Sequence, residues 1–182
     1  MVPSGSYRFG PDDGRLQLDV LRDGLARRIG HDLVMAVESW SVVATVAGNL
    51  AASSLTVTAD LRSLVVVEGR GGVLPLADRD KGQILSAAAK VLRADTNPAL
   101  TWVSTGVKVD GESIIAMGEL TLGGRSAPVD VTIQVDGNSA TATAAVTQSA
   151  LGIKPYQAFL GTLRVKDVVT VEATVSWPER TE

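Results

Sequence analysis

From Leu16 onward the sequence swaps apolar for polar at nearly every second position, and that period restricts the chain to pleated strands with two unlike faces. Leu16, Leu18 and Val20 share one face, with Gln17 and Asp19 on the other. Leu33, Met35 and Val37 repeat the pattern against Asp32 and Glu38, with Val34 and Ala36 blurring it. Val42, Ala44 and Val46 continue it, then Leu55, Val57 and Ala59. The second half is more regular: Leu100 and Trp102, Leu120 and Leu122, and the run Val129, Val131, Ile133 and Val135. Ala140, Ala142 and Ala144 alternate with threonines, and Val169, Val171, Ala173 and Val175 close the pattern. Turn pairs separate the runs, among them Asp13-Gly14, Asp110-Gly111, Gly123-Gly124 and Asp136-Gly137. Short strands, tight turns and one polar face predict an antiparallel meander.

One segment breaks the period. Ile84, Leu85, Ala88, Val91 and Leu92 fall at helical spacing, which predicts one amphipathic helix over about 78–92. Asp78 is the expected N-cap, Asp80 suits the first turn, and Asn97-Pro98 blocks continuation. Gly69, Gly71 and Gly72 read as a flexible approach to this helix. Many strands in a meander leave two exposed edges, which closure into a barrel removes; a flat sandwich has the same periodicity. Residues 1–6 and 178–182 are expected as tails around a single domain over 7–177.

The remaining composition excludes several classes. The chain has no cysteine, so disulfides and thiolate metal sites are out. A net charge of -3 and the lack of a basic patch with interleaved aromatics argue against nucleic acid. The N-terminal string MVPSGSYRFGPDDG lacks a basic segment followed by an apolar one, and no apolar run is long enough to span a bilayer. A cytoplasmic, non-membrane-embedded protein is expected. The single histidine, His31, has no partner imidazole at ligand spacing, and no Gly-x-Ser-x-Gly elbow occurs. No metal, no cofactor and no enzymatic activity are expected.

Several strings together resemble the YceI-like family. They are Ser54 to Leu64, Ile84 to Leu92 with the following Asp95, Pro98 and Trp102, Glu119 to Val131, and Thr147 to Gly152. Gly30 to Leu33 (GHDL) and Ile153 to Gly161 resemble a soluble subgroup of that family. The likeness covers about residues 7–177. It implies an extended, lipocalin-like, antiparallel barrel of eight strands with one inserted helix. It also implies a long pocket for isoprenoid-like or fatty-chain ligands. The chain departs from the family pattern at Gly123, where a histidine is common, and around Ala88 to Leu92, where an aromatic pair is usual.

Composition supports a pocket on separate grounds. Aromatics are only 4% of the chain, and the inward positions Ala44, Ala59, Gly118, Ala140, Ala142, Ala144 and Ala173 are small. Such side chains fill a barrel to core density with difficulty, and an apolar lining disfavours water as the filler. The expected ligand contacts are Leu18, Val20, Leu33, Met35 and Val37 from the first strands, and Leu85 and Ala88 from the helix. Trp102, Leu120 and Phe159 complete that set, with His31, Lys154 and Tyr156 as head-group contacts at a barrel mouth. The segment Ser149 to Arg164 reads equally as that mouth's rim or as a lid packed over it. The expected function is binding, transport or sequestration of an apolar chain. Two alternatives stay open: a filled barrel acting through a protein partner, as a homodimer or a stress-related scaffold, and an enzyme acting on a lipophilic substrate.

Overall fold

The computed structural model describes residues 4–177. Its first strands are β1 (Gly5–Phe9), β2 (Gly14–Val20) and the two-residue β3 (Arg22–Asp23). They are followed by β4 (Asp32–Val37), β5 (Trp40–Val46), β6 (Ser54–Asp60) and β7 (Leu64–Arg70). Helix α1 (Asp78–Leu92) separates these from β8 (Ala99–Asp110), β9 (Ser113–Leu122), β10 (Arg125–Pro128), β11 (Val131–Asp136) and β12 (Ser139–Thr147). β13 (Gln157–Ala158), β14 (Leu163–Val165) and β15 (Val168–Ser176) complete the set. Among the described residues no helix is long and apolar enough to cross a membrane.

The expected count of eight strands is corrected. The main antiparallel sheet has twelve, in the order β1-β5-β6-β8-β9-β11-β12-β15-β2-β4-β7 with β10 beside β9, and a small sheet of β13-β14-β3 lies apart from it. The excess arises mainly in one long hairpin that breaks in the middle. β4 pairs β7 and β5 pairs β6, and only Glu38 and Ser39 on one side, and Leu61 to Ser63 on the other, interrupt the ladder. Hydrogen bonds cross the break: Glu38 N donates to Ser63 O at 3.1 Å, and Asp60 N donates to Ser39 O at 2.9 Å. Asp60 also accepts from Arg62 N at 2.9 Å and pairs with the Arg62 guanidinium at 2.7 Å, which holds the turn in shape. That pairing keeps the Asp60 carboxyl below its ordinary range. β7 ends the strand order and β6 lies near its other end, so this hairpin bends the sheet round on itself into a barrel.

β1 begins at Gly5, inside the stretch expected as a tail; Gly5 and Ser6 pair with Val46 and Thr45 on β5. Residues 1–3 and 178–182 lie outside the described residues. Helix α1 spans the expected residues, but its cap differs. Ala77 is the N-cap residue and Asp78 is already helical, while the Asp80 carboxylate accepts from Ala77 N at 3.1 Å. The helix lays Ile84, Leu85, Ala88, Ala89 and Leu92 against a buried cluster around Trp40, Leu61, Leu64 and Ala94.

A second cluster surrounds Trp102 with Val107, Ala116, Leu120 and Val129. The Trp102 indole N–H donates to Val129 O at 2.9 Å, so its polar edge is satisfied in the interior. Gly118 lies directly under the indole, where any Cβ would overlap the ring and the Val103 carbonyl. Gly118→Ala is therefore expected to lower stability by about 1–3 kcal/mol through overpacking. Gly82 sits on α1 with open space around its Cβ position, so Gly82→Ala should raise stability by about 0.5–1 kcal/mol. Denaturant midpoints at unchanged slope check both; an undiminished midpoint for Gly118→Ala would contradict the packing.

Candidate functional site

Inside the barrel is a cavity of about 610 Å3. Its wall is built by the alternation. β2 contributes Leu16, Leu18 and Val20; β4 contributes Leu33, Met35 and Val37; β12 contributes Ala140, Ala142 and Ala144. On β15 the inward set is Val169, Val171, Ala173 and Val175. Ala142 stands opposite Ala173 across the β12–β15 ladder, so two methyl groups form the wall where larger side chains would have met. Trp40 and Trp102, anchored in their separate clusters, face the same space. Along α1 the stripe Ile84, Ala87, Ala88, Val91 and Leu92 turns to the cavity at helical spacing. An environment without polar groups along its middle binds by burial, so it reads the length and girth of a guest more than its functional groups.

Polar lining is confined to the margins. Tyr7, Thr45, Ser53 and Ser54 lie at the end where β5 turns into β6. Arg22, His31, Gln148, Tyr156 and Arg164 lie at the other, and Asp80 and Gln83 from the first turns of α1 add an acid and an amide to the lining. This second end carries a lid of three segments. Residues 148–166 fold over it, β14 pairs β3, and Ala26 N donates to Thr162 O at 2.8 Å. His31 Nε2 is hydrogen-bonded to Leu74 O at 2.8 Å, which ties in the segment before α1. The Arg22 guanidinium bonds Gly30 O and lies 3.6 Å from Asp32. Gly71 (φ 76°) and Gly72 (φ 78°) pass beside Arg22 and His31, where a Cβ would overlap those side chains. Gln83, Ala87, Val91 and Tyr156 line the cavity and also an outer groove with Arg79 and Lys90. They mark an opening between α1 and the lid.

Leu18, Val20, Leu33, Met35, Val37, Ala88, Trp102 and Leu120 lie on the cavity wall, as do His31 and Tyr156 at its mouth. Leu85, Phe159 and Lys154 do not. Leu85 sits one residue off the inward stripe and packs on the Trp40 cluster instead. Phe159 adopts φ 50° in a tight turn, and the residue is 64% exposed. Lys154 is exposed on the lid. Sequence reading missed Arg22, Gln148 and Arg164, which reach the mouth through tertiary folding and carry no local signal.

A β-barrel with one helix and an apolar interior cavity is the class that fold and site define. The comparisons give the family. Residues 26–177 match the YceI-like domain, and the chain belongs to the YceI-like family. Among curated proteins nothing matches. Among solved structures the chain is similar to BcnA of Burkholderia cenocepacia, with 16% identity and a TM-score of 0.65 over 91% of this chain and 96% of that one. It is also similar to the YCEI protein of Campylobacter jejuni, with 14% identity and a TM-score of 0.54 over 81% of this chain and 85% of that one. At these identities the likeness is one of fold.

One ion pair secures the lid: Arg164 Nη2 lies 2.9 Å from Asp23 Oδ2, joining β14 to β3. The Gly24 N–H and then Arg164 hold the Asp23 carboxyl below its ordinary value of 3.8. A lowered carboxyl value means the tie is complete above pH 3.8 and is lost as pH falls through the lower native value. Asp23→Asn is expected to speed amide exchange over 157–165 at neutral pH, with little change in global stability because the pair is solvent-exposed. The difference between variant and wild type should vanish at pH values below the native titration. Unchanged exchange at neutral pH would show that the pair does not hold the lid.

Proposed function

We propose that the protein binds, and carries or sequesters, an apolar chain-like molecule in its barrel, an isoprenoid or fatty-acid derivative, without reacting with it. The cavity supports this reading most directly: about 610 Å3, apolar through its middle and polar only at its margins. That volume falls in the range of small-molecule sites, roughly 300–1,000 Å3. Burial supplies the driving force, about 0.8 kcal/mol for each methylene taken from water. The link of the YceI-like family to lipid and polyisoprenoid binding supports the same ligand class. Head groups would sit at the lid end, beside Arg22, His31 and Tyr156, where charge and hydrogen-bond donors meet the cavity mouth.

Organic extraction of the natively purified protein, followed by mass spectrometry, should release a long-chain lipid. Ala142→Phe places a ring in the middle of the cavity without touching the mouth. Displacing two methylenes of the guest costs about 1.6 kcal/mol, or more than tenfold in Kd. Titration with a fluorescent polyene fatty acid measures that loss, with circular dichroism confirming the fold. Extracts free of lipid together with no uptake of the probe would refute a carrier.

A further inference from the structure

The lid end carries a surface that the cavity does not explain. Leu25 is 94% exposed and Leu160 is fully exposed, with Phe159 close behind. Ile29, Val73 and Leu74 add to the same end. They belong to three segments tied together by the Ala26–Thr162 hydrogen bond, the β3–β14 ladder and the His31–Leu74 hydrogen bond. Single exposed apolar residues are ordinary, but a cluster this open at one end of a molecule marks an interaction site. Phe159 and Leu160 also hold φ of 50° and 56°, a left-handed backbone that disfavours side chains other than glycine. The fold thus spends conformational freedom to present two large apolar side chains to solvent.

Charge at this end is distinctive too. Residues 21–31, 70–77 and 149–166 contain seven basic side chains and one acidic one, in a chain whose net charge is -3. Arg27, Arg28, Lys154 and Lys166 are exposed. Of the seven, Arg22 lies against Asp32, Arg70 against Glu68 and Arg164 against Asp23, so among the described residues the charge left outside ion pairs at this end is that of Arg27, Arg28, Lys154 and Lys166. Protruding leucines on loop tips inside a basic rim fit a fluid, anionic surface better than a flat protein face, which would need matching hollows. We infer that the lid end docks on an anionic phospholipid bilayer, with Leu25, Phe159 and Leu160 entering the headgroup layer and the exposed arginines and lysines lying over the phosphates. The opening between α1 and the lid lies on the same side, through Tyr156. Docking itself does not require a guest; its use in moving one between bilayer and barrel rests on the carrier reading.

The test is co-sedimentation of the full chain with vesicles of phosphatidylcholine alone and of phosphatidylcholine mixed with phosphatidylglycerol. Wild type should bind only the mixed vesicles and be released by salt. Leu25→Ser with Leu160→Ser should weaken binding about tenfold. Arg27→Gln with Arg28→Gln should weaken it on the order of fivefold for each charge removed. Circular dichroism and lipid extraction on the same preparations keep folding and cargo separate from docking. Absence of binding, equal binding to both vesicle types, or folded variants that bind like wild type would overturn the inference. So would size-exclusion chromatography showing a dimer that the leucine pair abolishes, because the patch would then seat a second copy. Protein that carries lipid but ignores vesicles defeats docking alone, and protein that docks but is empty and takes up no probe defeats the carrier reading alone.

Discussion

The cavity exists because one long hairpin bends without coming apart. A twelve-stranded sheet with free ends would leave the inward faces of β2, β12 and β15 open to water on one side. The break at Glu38–Ser39 and Leu61–Ser63 lets β4 and β7 belong to one end of the strand order, and β5 and β6 to the other. Backbone hydrogen bonds from Glu38 and Asp60 bridge the break, so the turn leaves few polar groups unpaired. Beneath it, Trp40, Leu61, Leu64 and Ala94 fill the corner, and Pro98 O accepts from Leu61 N at 2.8 Å. Apolar packing thus fixes the angle, and the angle encloses the space.

An apolar hollow weakens a fold, because each unfilled volume forgoes dispersion contacts. This protein places its tight packing elsewhere. Trp40 and Trp102 each centre a dense cluster, and Gly118 is small so that the Trp102 indole can lie flat over the backbone of β9. Between the clusters the facing residues shrink to Ala142, Ala144 and Ala173. Large side chains thus anchor two regions of the wall, and small ones leave room between them. The two roles are divided among residues that share one face of one sheet, which is how an 18.9 kDa chain keeps a core and a cavity together.

Much of this was legible because alternation and burial obey the same period. Once Leu18, Met35 or Ala142 is assigned to a strand, its face follows, and a whole wall can be read from a string. The failures have local causes. Leu85 is one helical step from Ile84, and a stripe of apolar residues on a helix does not say which edge turns to a cavity and which to a core. Phe159 would face inward in an extended strand, but a left-handed backbone turns it out, and no pattern in the Ile153 to Gly161 string announces that. β1 is too short and too close to the terminus to show a period. Arg22 and Arg164, 142 residues apart in the sequence, are brought to the same mouth by the pairing of β3 with β14, which sets Arg22 opposite Val165 and Asp23 opposite Arg164.

The two ends of the cavity then differ for a physical reason. Where β5 turns into β6, Thr45, Ser53 and Ser54 give a neutral polar margin on strands that stay paired. At the lid end, short ladders of two residues, a solvent-exposed ion pair and glycines with positive φ replace continuous sheet. Elements held by so few buried contacts open at lower free energy than the wall they cover. A guest that enters through a barrel must do so where the backbone can yield, and cationic side chains at that place draw an anionic head group to it. Under the carrier reading proposed above, this weakly held lid is the end through which a guest would exchange at the lowest free-energy cost.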